Sequence, residues 1–350
     1  MRVVYSPLHA RHDGGVELHR GALVPSFESP VRAQFILEAL RRGGFTVVPP
    51  RDIPETRLLS VHDAEFVEFL RSAYARWTDQ GRDGSMLPSG FPARGLRQDH
   101  RPSGIHGSMG YYTFDASTPI VAGTWEAALA AARCAMTAAA LVTEGDSAAY
   151  ALCRPPGHHA GRSFYGGYCY LNNAALAAQY LRDHGCARVA VLDVDYHHGN
   201  GTQEIFWMRD DVLFVSLHAT PESEYPYFLG YADERGAGPG DGCTLNLPLP
   251  LGTGWQEYRA ALDVALAAIG RFTPDALVVS LGVDTFEADP ISAFKLTVPD
   301  YARLGAGLAA VSLPTVLVQE GGYAVAAIGD NVAGVLAAFA ERQTATPRNT

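Results

Sequence analysis

The sequence predicts an α/β protein with a single domain, in which helices cover both faces of a parallel sheet. Amphipathic helical segments alternate with short, almost continuously apolar runs, which are typical of strands buried on both faces. Most of these runs are followed by Asp, His or Tyr, which are residue types that carry out chemistry. The chain has 350 residues, and one α/β domain can reach this length.

One strand and two helices are predicted before the alternation begins. Residues 1–6 form an apolar run that predicts a strand, and the spacing of apolar residues predicts helices at 28–45 and 62–77. The segment from about 79 to 110 is rich in Gly, Pro, Arg and Ser. It predicts a loop insertion that acts as a lid or contacts a second subunit, with a plain flexible loop as the alternative.

Regular alternation follows from residue 111 onwards. The strand-bearing stretches are short and apolar, and helices separate most of them, as in repeated βαβ units. The domain is expected to span residues 1–341, followed by a polar tail at 342–350. The predicted helices are 124–145, 172–185, 255–272 and 298–312, and the strand-bearing stretches are 148–152, 188–199, 212–218, 276–284 and 315–323.

The composition limits the kinds of partner. Lys and Arg number 27 against 37 Asp and Glu, and the net charge of −10 disfavours nucleic acid and anionic membranes but suits a cationic substrate. Solubility alone explains this charge equally well. The five cysteines are widely spaced without a C-x-x-C motif, which is typical of a reducing cytoplasm. Residues 124–142 are rich in alanine, but Glu126 and Arg133 interrupt them, so a packed helix is predicted rather than a membrane span.

The stretch LDVDYHHGNG predicts ligands for a metal ion. Side chains alternate between the faces of a strand, so Asp193, Asp195 and His197 share one face. Asp284 ends another apolar run, and ligands of an open parallel sheet lie beyond the carboxyl ends of its strands. Asp195, His197 and Asp284 would hold a catalytic metal with one open position, while Asp193 would hold an imidazole or another cation. A surface turn is the alternative for this stretch taken alone.

The residues around these ligands favour one metal ion rather than two. A binuclear site on such a sheet would need a further carboxylate two residues beyond each ligand, but Gly199 and Phe286 stand at those positions. One nitrogen and two carboxylate ligands suit Zn²⁺, with Fe²⁺ and Co²⁺ as alternatives.

Two adjacent histidines follow a rigid turn in CRPPGHHAG. Adjacent side chains diverge, so His158 and His159 lack the spacing of a pair of metal ligands. A hydrolase that uses a metal-activated water needs a general base and later a general acid. His159 is assigned as the base, and His158 as a companion whose charge is set by Asp193. Asn200 is expected to orient the other ring.

Tyr323 and a set of glycines and aromatic residues complete the predicted site. Tyr323 follows two glycines, which permit a close approach, and its phenol would donate a hydrogen bond to a substrate carbonyl. A narrow slot for a methylene chain is expected from two glycines and two aromatic residues, Gly166, Gly167, Tyr168 and Tyr225. Packed core aromatics are the alternative interpretation for these tyrosines.

Five motifs resemble those of a known family. They are RPPGHHA, GGYCYLNN, LDVDYHHGNGTQ, SLGVDTFEADP and EGGY, and they lie between Cys153 and Tyr323. The chain is similar in these motifs to the zinc-dependent deacetylases of the histone deacetylase superfamily, which have an arginase-like α/β sheet. It is most similar to the bacterial acetylpolyamine amidohydrolases, through LVPSFESP near the N-terminus, the flanks of the long loop and the DTFEADPIS run.

The resemblance implies the same zinc ligands, acid–base pair and carbonyl-polarising phenol as the residues already named. It also implies structural K⁺ ions, which the residues alone do not indicate. One K⁺ would lie near Asp193, Asp195, His197, Ser216 and Leu217, and another near Phe206 and Val212.

The resemblance further implies how a substrate is selected. In the polyamine group the long loop forms a homodimer and narrows the tunnel, and the residue that matches Glu17 meets the distal ammonium. This chain has His106 and Ser117 where carboxylates are expected beside the substrate. Short acetylated diamines are therefore candidate substrates beside long polyamines.

The implied function is a zinc-dependent amidohydrolase of the cytoplasm. It would remove an acetyl or other short acyl group from a polyamine or a related small cationic amine, without nucleic acid or membrane partners. A protein acetyl-lysine deacetylase is the alternative with the same chemistry. A non-catalytic amine-binding protein is less favoured, because every catalytic position holds the residue type that the reaction needs.

Overall fold

A computed structural model describes residues 1–345, which form one domain around an eight-stranded sheet. Every neighbouring pair of strands in this sheet is parallel. The predicted α/β class is therefore confirmed. The strands of the sheet are β1 (Arg2–Val4), β4 (Thr46–Val48), β5 (Ala148–Ala151), β6 (Val189–Asp193), β7 (Val212–Ala219), β8 (Thr244–Leu249), β9 (Ala276–Leu281) and β10 (Thr315–Gln319), and a separate antiparallel hairpin comprises β2 (Val16–His19) and β3 (Ala22–Pro25).

The strand order brings together segments that are distant in the sequence. It runs β4-β1-β5-β10-β9-β6-β7-β8, so β5, β10, β9 and β6 are neighbours at the centre of the sheet. Side chains along β6 alternate between two apolar clusters, with Val191 in one and Ala190 and Leu192 in the other. These clusters are the cores on the two faces of the sheet, as expected for strands buried on both sides.

Helices supply the rest of both cores. Those between residues 64 and 206 contribute buried side chains to the cluster that contains Val191, and the others contribute to the second cluster. The helices are α1 (Val31–Arg42), α2 (Ala64–Thr78), α3 (Ile105–Tyr111), α4 (Thr124–Thr143), α5 (Asn173–Asp183), α6 (Asn200–Phe206), α7 (Trp255–Phe272), α8 (Val298–Ala309) and α9 (Val325–Ala345).

The long loop is shorter than the sequence predicts. No helix or strand occurs between residues 79 and 104, but α3 begins at Ile105, inside the segment assigned to the loop. This short helix contains Gly107 and Gly110, which lower its intrinsic helix propensity, so its residues do not predict a helix. Burial of Ile105 and Met109 stabilises it instead.

The end of the chain also differs from the prediction. The polar tail was expected to begin at residue 342, yet α9 continues to Ala345. Residues 346–350 of that predicted tail lie outside the described part of the chain. The hairpin, β4, β8, α6 and α9 are further elements that the sequence patterns did not predict.

Within the described residues, α4 is the one helix whose length and composition would allow it to cross a membrane. However, 83% of its most apolar window is buried inside the protein, against α5 and β5 among other elements. The helix is therefore a packed core helix, as its interrupting charges predict.

A buried ionic cluster links the N-terminal segment to the centre of the sheet. The Glu28 carboxylate lies 2.8 Å from the guanidinium groups of both Arg32 and Arg154, and all three side chains are at most 2% exposed. Burial opposes the ionised form of Glu28, but Arg154 and Arg32 outweigh it and lower the pKa of this carboxyl. The cluster therefore depends on a charged Glu28.

We expect Glu28→Gln to lower the free energy of unfolding by about 3 kcal/mol, because two buried guanidinium groups lose their shared counter-charge. Urea denaturation followed by circular dichroism measures this change. Glu38→Gln, an exposed position on α1, is the matched control and should stay within about 0.5 kcal/mol of the wild type. If both variants were equally stable, the cluster would not contribute to folding.

Candidate active site

The predicted site residues lie beyond the carboxyl ends of the four central strands. His158 follows β5, Asp195 and His197 follow β6, Asp284 follows β9, and Tyr323 follows β10. Parallel strands end at the same edge of a sheet, so residues separated by more than a hundred positions meet there.

Three of these side chains form a group able to hold a metal ion. Each of Asp195, His197 and Asp284 offers one ligand atom, and these atoms lie within 4.8 Å of one another. His197 Nδ1 is 3.0 Å from Asp284 Oδ2 and 3.4 Å from Asp195 Oδ1. Backbone N–H groups of His197 and Gly321 donate to the Asp195 carboxylate at 2.9 and 2.8 Å, which holds it in place.

The surroundings of this group fit a cation. A Cβ added at Gly282 would collide with the Asp195 carboxylate, and one at Gly321 would lie 2.6 Å from oxygens of both Asp195 and Asp284. Burial and the neighbouring Asp195 raise the pKa of Asp284 to about 7, because two buried carboxylates lie side by side. A divalent cation would relieve this repulsion, and one nitrogen with two carboxylates suits zinc.

The two adjacent imidazoles have different hydrogen-bond partners. His158 Nδ1 lies 2.9 Å from Asp193 Oδ2, and His159 Nδ1 lies 2.6 Å from Asn200 Oδ1. The amide oxygen accepts, so Nδ1 of His159 carries the proton and Nε2 is left as the basic nitrogen. Asp193 and Asn200, the partners predicted for the two histidines, therefore lie within hydrogen-bond distance of them.

These environments move the two pKa values in opposite directions. Burial opposes the charged form of His158, but Asp193 and Asp195 outweigh it and raise its pKa to about 10. Burial, followed by the positive charges of His158 and His197, lowers the pKa of His159 well below its usual value. His158 is therefore the cation of the pair and His159 the neutral base.

Glu320 holds the turn that carries the histidines. Its Oε2 accepts hydrogen bonds from the backbone N–H groups of Gly157 and His158, at 2.6 and 3.1 Å. Glu320, His158 and Cys169 form a second group of potential ligands, but this carboxylate is committed to the turn. Sequence reasoning missed Glu320, although it directly precedes the two glycines before Tyr323.

Tyr323 is fixed from its backbone and from its ring. Asp289 Oδ2 accepts from the backbone N–H of Tyr323 at 2.7 Å, and Arg32 donates to the carbonyl of Gly322 at 2.6 Å while its guanidinium lies 4.6 Å from the ring centroid. Burial raises the pKa of Tyr323 well above its usual value. The phenol therefore stays protonated and can donate a hydrogen bond. The sequence had not indicated Asp289 or Arg32.

A cavity of about 390 Å³ opens above these groups. His159, His197 and Tyr323 line it together with Gly167, Tyr168 and Tyr225, whereas Gly166, the fourth residue expected in the slot, is not part of the lining. The rest of the lining consists of Leu18, His19, Arg20, Phe114, Asp115, Ser117, Glu224, Pro226, Tyr227, Phe228 and Ile291.

Asp115 organises the slot and was not predicted. Its Oδ2 accepts from the Gly167 backbone N–H at 2.6 Å and from the Tyr225 hydroxyl at 2.8 Å. Its other oxygen accepts from the backbone N–H of Ser117 at 3.0 Å. One carboxylate thus joins two walls of the slot.

Three residues are expected near the distal end of the substrate, and of these Ser117 lines the cavity whereas Glu17 and His106 do not. Glu17 is fully buried behind the cavity wall, where it accepts from the Tyr168 hydroxyl at 2.7 Å. His106 lies on α3 and packs edge-on against Trp77, outside the cavity of this chain. Ser117 does line the cavity. Glu17 therefore supports the slot here rather than facing its interior.

The residues named for structural potassium are neighbours. Asp193 and Ser216 pair directly across β6 and β7, and the next residue of β7 is Leu217. Phe206 ends α6, and Val212 begins β7.

Comparisons with known proteins identify the family of this chain. The histone deacetylase domain matches residues 26–339. Acetylpolyamine amidohydrolase 1 of Pseudomonas aeruginosa is 52% identical over 97% of this chain and 99% of its own. Acetylpolyamine amidohydrolase of Mycoplana ramosa is 50% identical over 96% of this chain and 98% of its own. The crystal structure of an acetylpolyamine aminohydrolase from Burkholderia pseudomallei superposes with a TM-score of 0.94 at 40% identity, covering 98% of this chain and 99% of that one.

The matched domain spans most of the chain, and these relatives align with nearly its full length. The chain therefore belongs to the histone deacetylase family and is a deacetylase.

Proposed function

We propose that this deacetylase is a zinc-dependent amidohydrolase that removes an acetyl or short acyl group from a polyamine or a related small cationic amine. The observation that carries the proposal is the convergence of a buried metal-ligand group, a charged and a neutral imidazole and a protonated phenol at the base of one cavity. The names of the relatives from Pseudomonas and Mycoplana support acetylated polyamines as substrates.

Asp195, His197 and Asp284 would hold the zinc ion. When bound, Zn²⁺ supplies a Lewis acid for the amide carbonyl and lowers the pKa of a water. Fe²⁺ or Co²⁺ would suit the same ligands. Structural K⁺ near Asp193 and Ser216, and near Phe206 and Val212, is part of the proposal.

Three side chains around the amide supply a hydrogen-bond donor, a general acid–base and a fixed positive charge. The Tyr323 hydroxyl donates a hydrogen bond to the carbonyl oxygen and stabilises the negative charge that develops there. Nε2 of His159 takes the proton of the attacking water and later delivers it to the leaving amine. His158, held as a cation by Asp193, contributes a fixed positive charge beside these steps.

The assembly and the compartment are also proposed. A homodimer through the loop between residues 79 and 110 is supported by exposed apolar side chains on that loop, Phe91 and Leu96. The cytoplasm is supported by the five cysteines, which are all free. The net charge of −10 suits a cationic substrate better than nucleic acid or an anionic membrane.

Removal of the metal tests the zinc assignment. Incubation with a chelator is expected to abolish hydrolysis of N-acetylputrescine, and added Zn²⁺ should restore it, because the two carboxylates and the imidazole alone supply no Lewis acid. Elemental analysis of the restored enzyme should give one zinc per chain. Two metal ions per chain, or full activity after complete removal, would contradict the assignment.

Tyr323→Phe tests the role of the phenol. We expect kcat to fall by about 10²- to 10³-fold with little change in KM, because the lost hydrogen bond forms mainly in the transition state. Steady-state kinetics measures this, and Tyr74→Phe, on α2 away from the cavity, is the matched control. Nearly full activity of Tyr323→Phe would refute the assignment.

A substrate panel separates the proposed function from protein deacetylation. N-acetyl diamines and polyamines should be hydrolysed with a kcat/KM about tenfold or more above that of acetyl-lysine peptides, because a cavity of about 390 Å³ suits a small amine and a dimer would narrow its entrance. The assay compares initial rates for both classes at equal concentration. Preference for the peptides would instead favour a protein acetyl-lysine deacetylase.

A further inference from the structure

Glu224 is an acidic residue that lines the cavity that holds the catalytic groups. It directly precedes Tyr225, whose ring lies 5.0 Å from that of His159 and stacks 5.8 Å from that of Phe114. Glu224 is therefore adjacent to the slot that would contain the methylene chain of an acetylated amine.

The carboxylate of Glu224 has no cationic partner in the described part of the chain. The ion pairs there do not include it, and the partner that it has is neutral: the buried Tyr196 hydroxyl interacts with this carboxylate as a hydrogen-bond donor. A half-exposed carboxylate beside an apolar slot is available to a ligand cation.

The other acidic groups near the slot are already committed. Asp115 accepts from Gly167 and Tyr225 within the walls. Glu17 is fully buried and accepts from Tyr168. Glu17 does not line the cavity, and the Asp115 carboxylate is shared between the two walls of the slot, so Glu224 is the acidic lining residue that is not used to join these walls.

We propose that Glu224 binds the distal ammonium of the substrate and thereby selects acetylated diamines and polyamines over neutral acetamides. This inference rests on the proposed function and adds the residue that recognises the cationic end. The acetamide lies at the base of the cavity, the methylene chain passes between Tyr168 and Tyr225, and the ammonium pairs with Glu224.

Arg20 and His19 also line the cavity, from the hairpin turn between β2 and β3. Arg20 likewise forms no ion pair within residues 1–345. A substrate with a distal carboxylate would pair with Arg20 rather than with Glu224. A preference for such an anionic substrate would therefore contradict the role of Glu224.

The test compares N-acetylputrescine with N-pentylacetamide, a neutral molecule of the same length. The readout is the ratio of the two kcat/KM values, which cancels any general loss of activity. In Glu224→Gln the ratio should fall by about tenfold, the effect of one charge-assisted hydrogen bond. Glu222→Gln removes the same charge from an exposed position of the same loop outside the cavity, and it should leave the ratio within about twofold.

Two further measurements strengthen the test. Glu224→Asp keeps the charge and should retain most of the preference, which separates recognition from folding. Raising the salt concentration should lower the wild-type ratio, because a half-exposed ion pair is screened.

Three results would overturn the inference while leaving the proposed function intact. They are an unchanged ratio in Glu224→Gln, an equal fall for both variants, and a wild-type preference for acetamidopentanoate over N-acetylputrescine. If the wild type hydrolysed none of these amides, the proposed function would fail first.

Discussion

The arrangement of the catalytic groups depends on the buried Glu28 carboxylate. Its two arginine partners reach the loops that follow the central strands. Arg32 donates to the carbonyl oxygens of Glu320 and Gly322, beside Tyr323. Arg154 precedes the histidine turn and donates to two carbonyl oxygens of the N-terminal segment. Two desolvated guanidinium groups need a counter-charge, so a single carboxylate couples the phenol, the histidine turn and the N-terminus.

Neighbouring groups that are equally buried have pKa values shifted in opposite directions, because the charges beside them differ. His158 faces Asp193 and Asp195 and is held as a cation, whereas burial and the neighbouring positive charge of His158 keep His159 neutral. Asp284 lies beside Asp195, so its ionised form needs a cation. One buried site can therefore provide a fixed charge, a base and a metal-ligand group, because the partners differ rather than the solvent exposure.

The patterns in the sequence predicted the strand-end residues well, for a physical reason. A short apolar run that alternates with helices predicts a strand buried on both faces, and a polar residue at its end lies at the edge where parallel strands meet. This rule predicts the positions of the metal-ligand group and the phenol, namely Asp195, His197, Asp284 and Tyr323. Short or glycine-containing elements such as α3 do not, because tertiary burial rather than local propensity stabilises them.

The sequence by itself determined the α/β class, the run of chemically active residues at the strand ends and the family to which they belong. Only the tertiary structure decided which carboxylates line the cavity without a cationic partner. Glu17 and Glu224 are the same residue type in the sequence. In the structure, Glu17 is buried and accepts from the Tyr168 hydroxyl, whereas Glu224 is half-exposed and lines the cavity. The availability of a charge depends on its three-dimensional neighbours, since a hydrogen bond between residues distant in the chain leaves no periodic signal in the sequence.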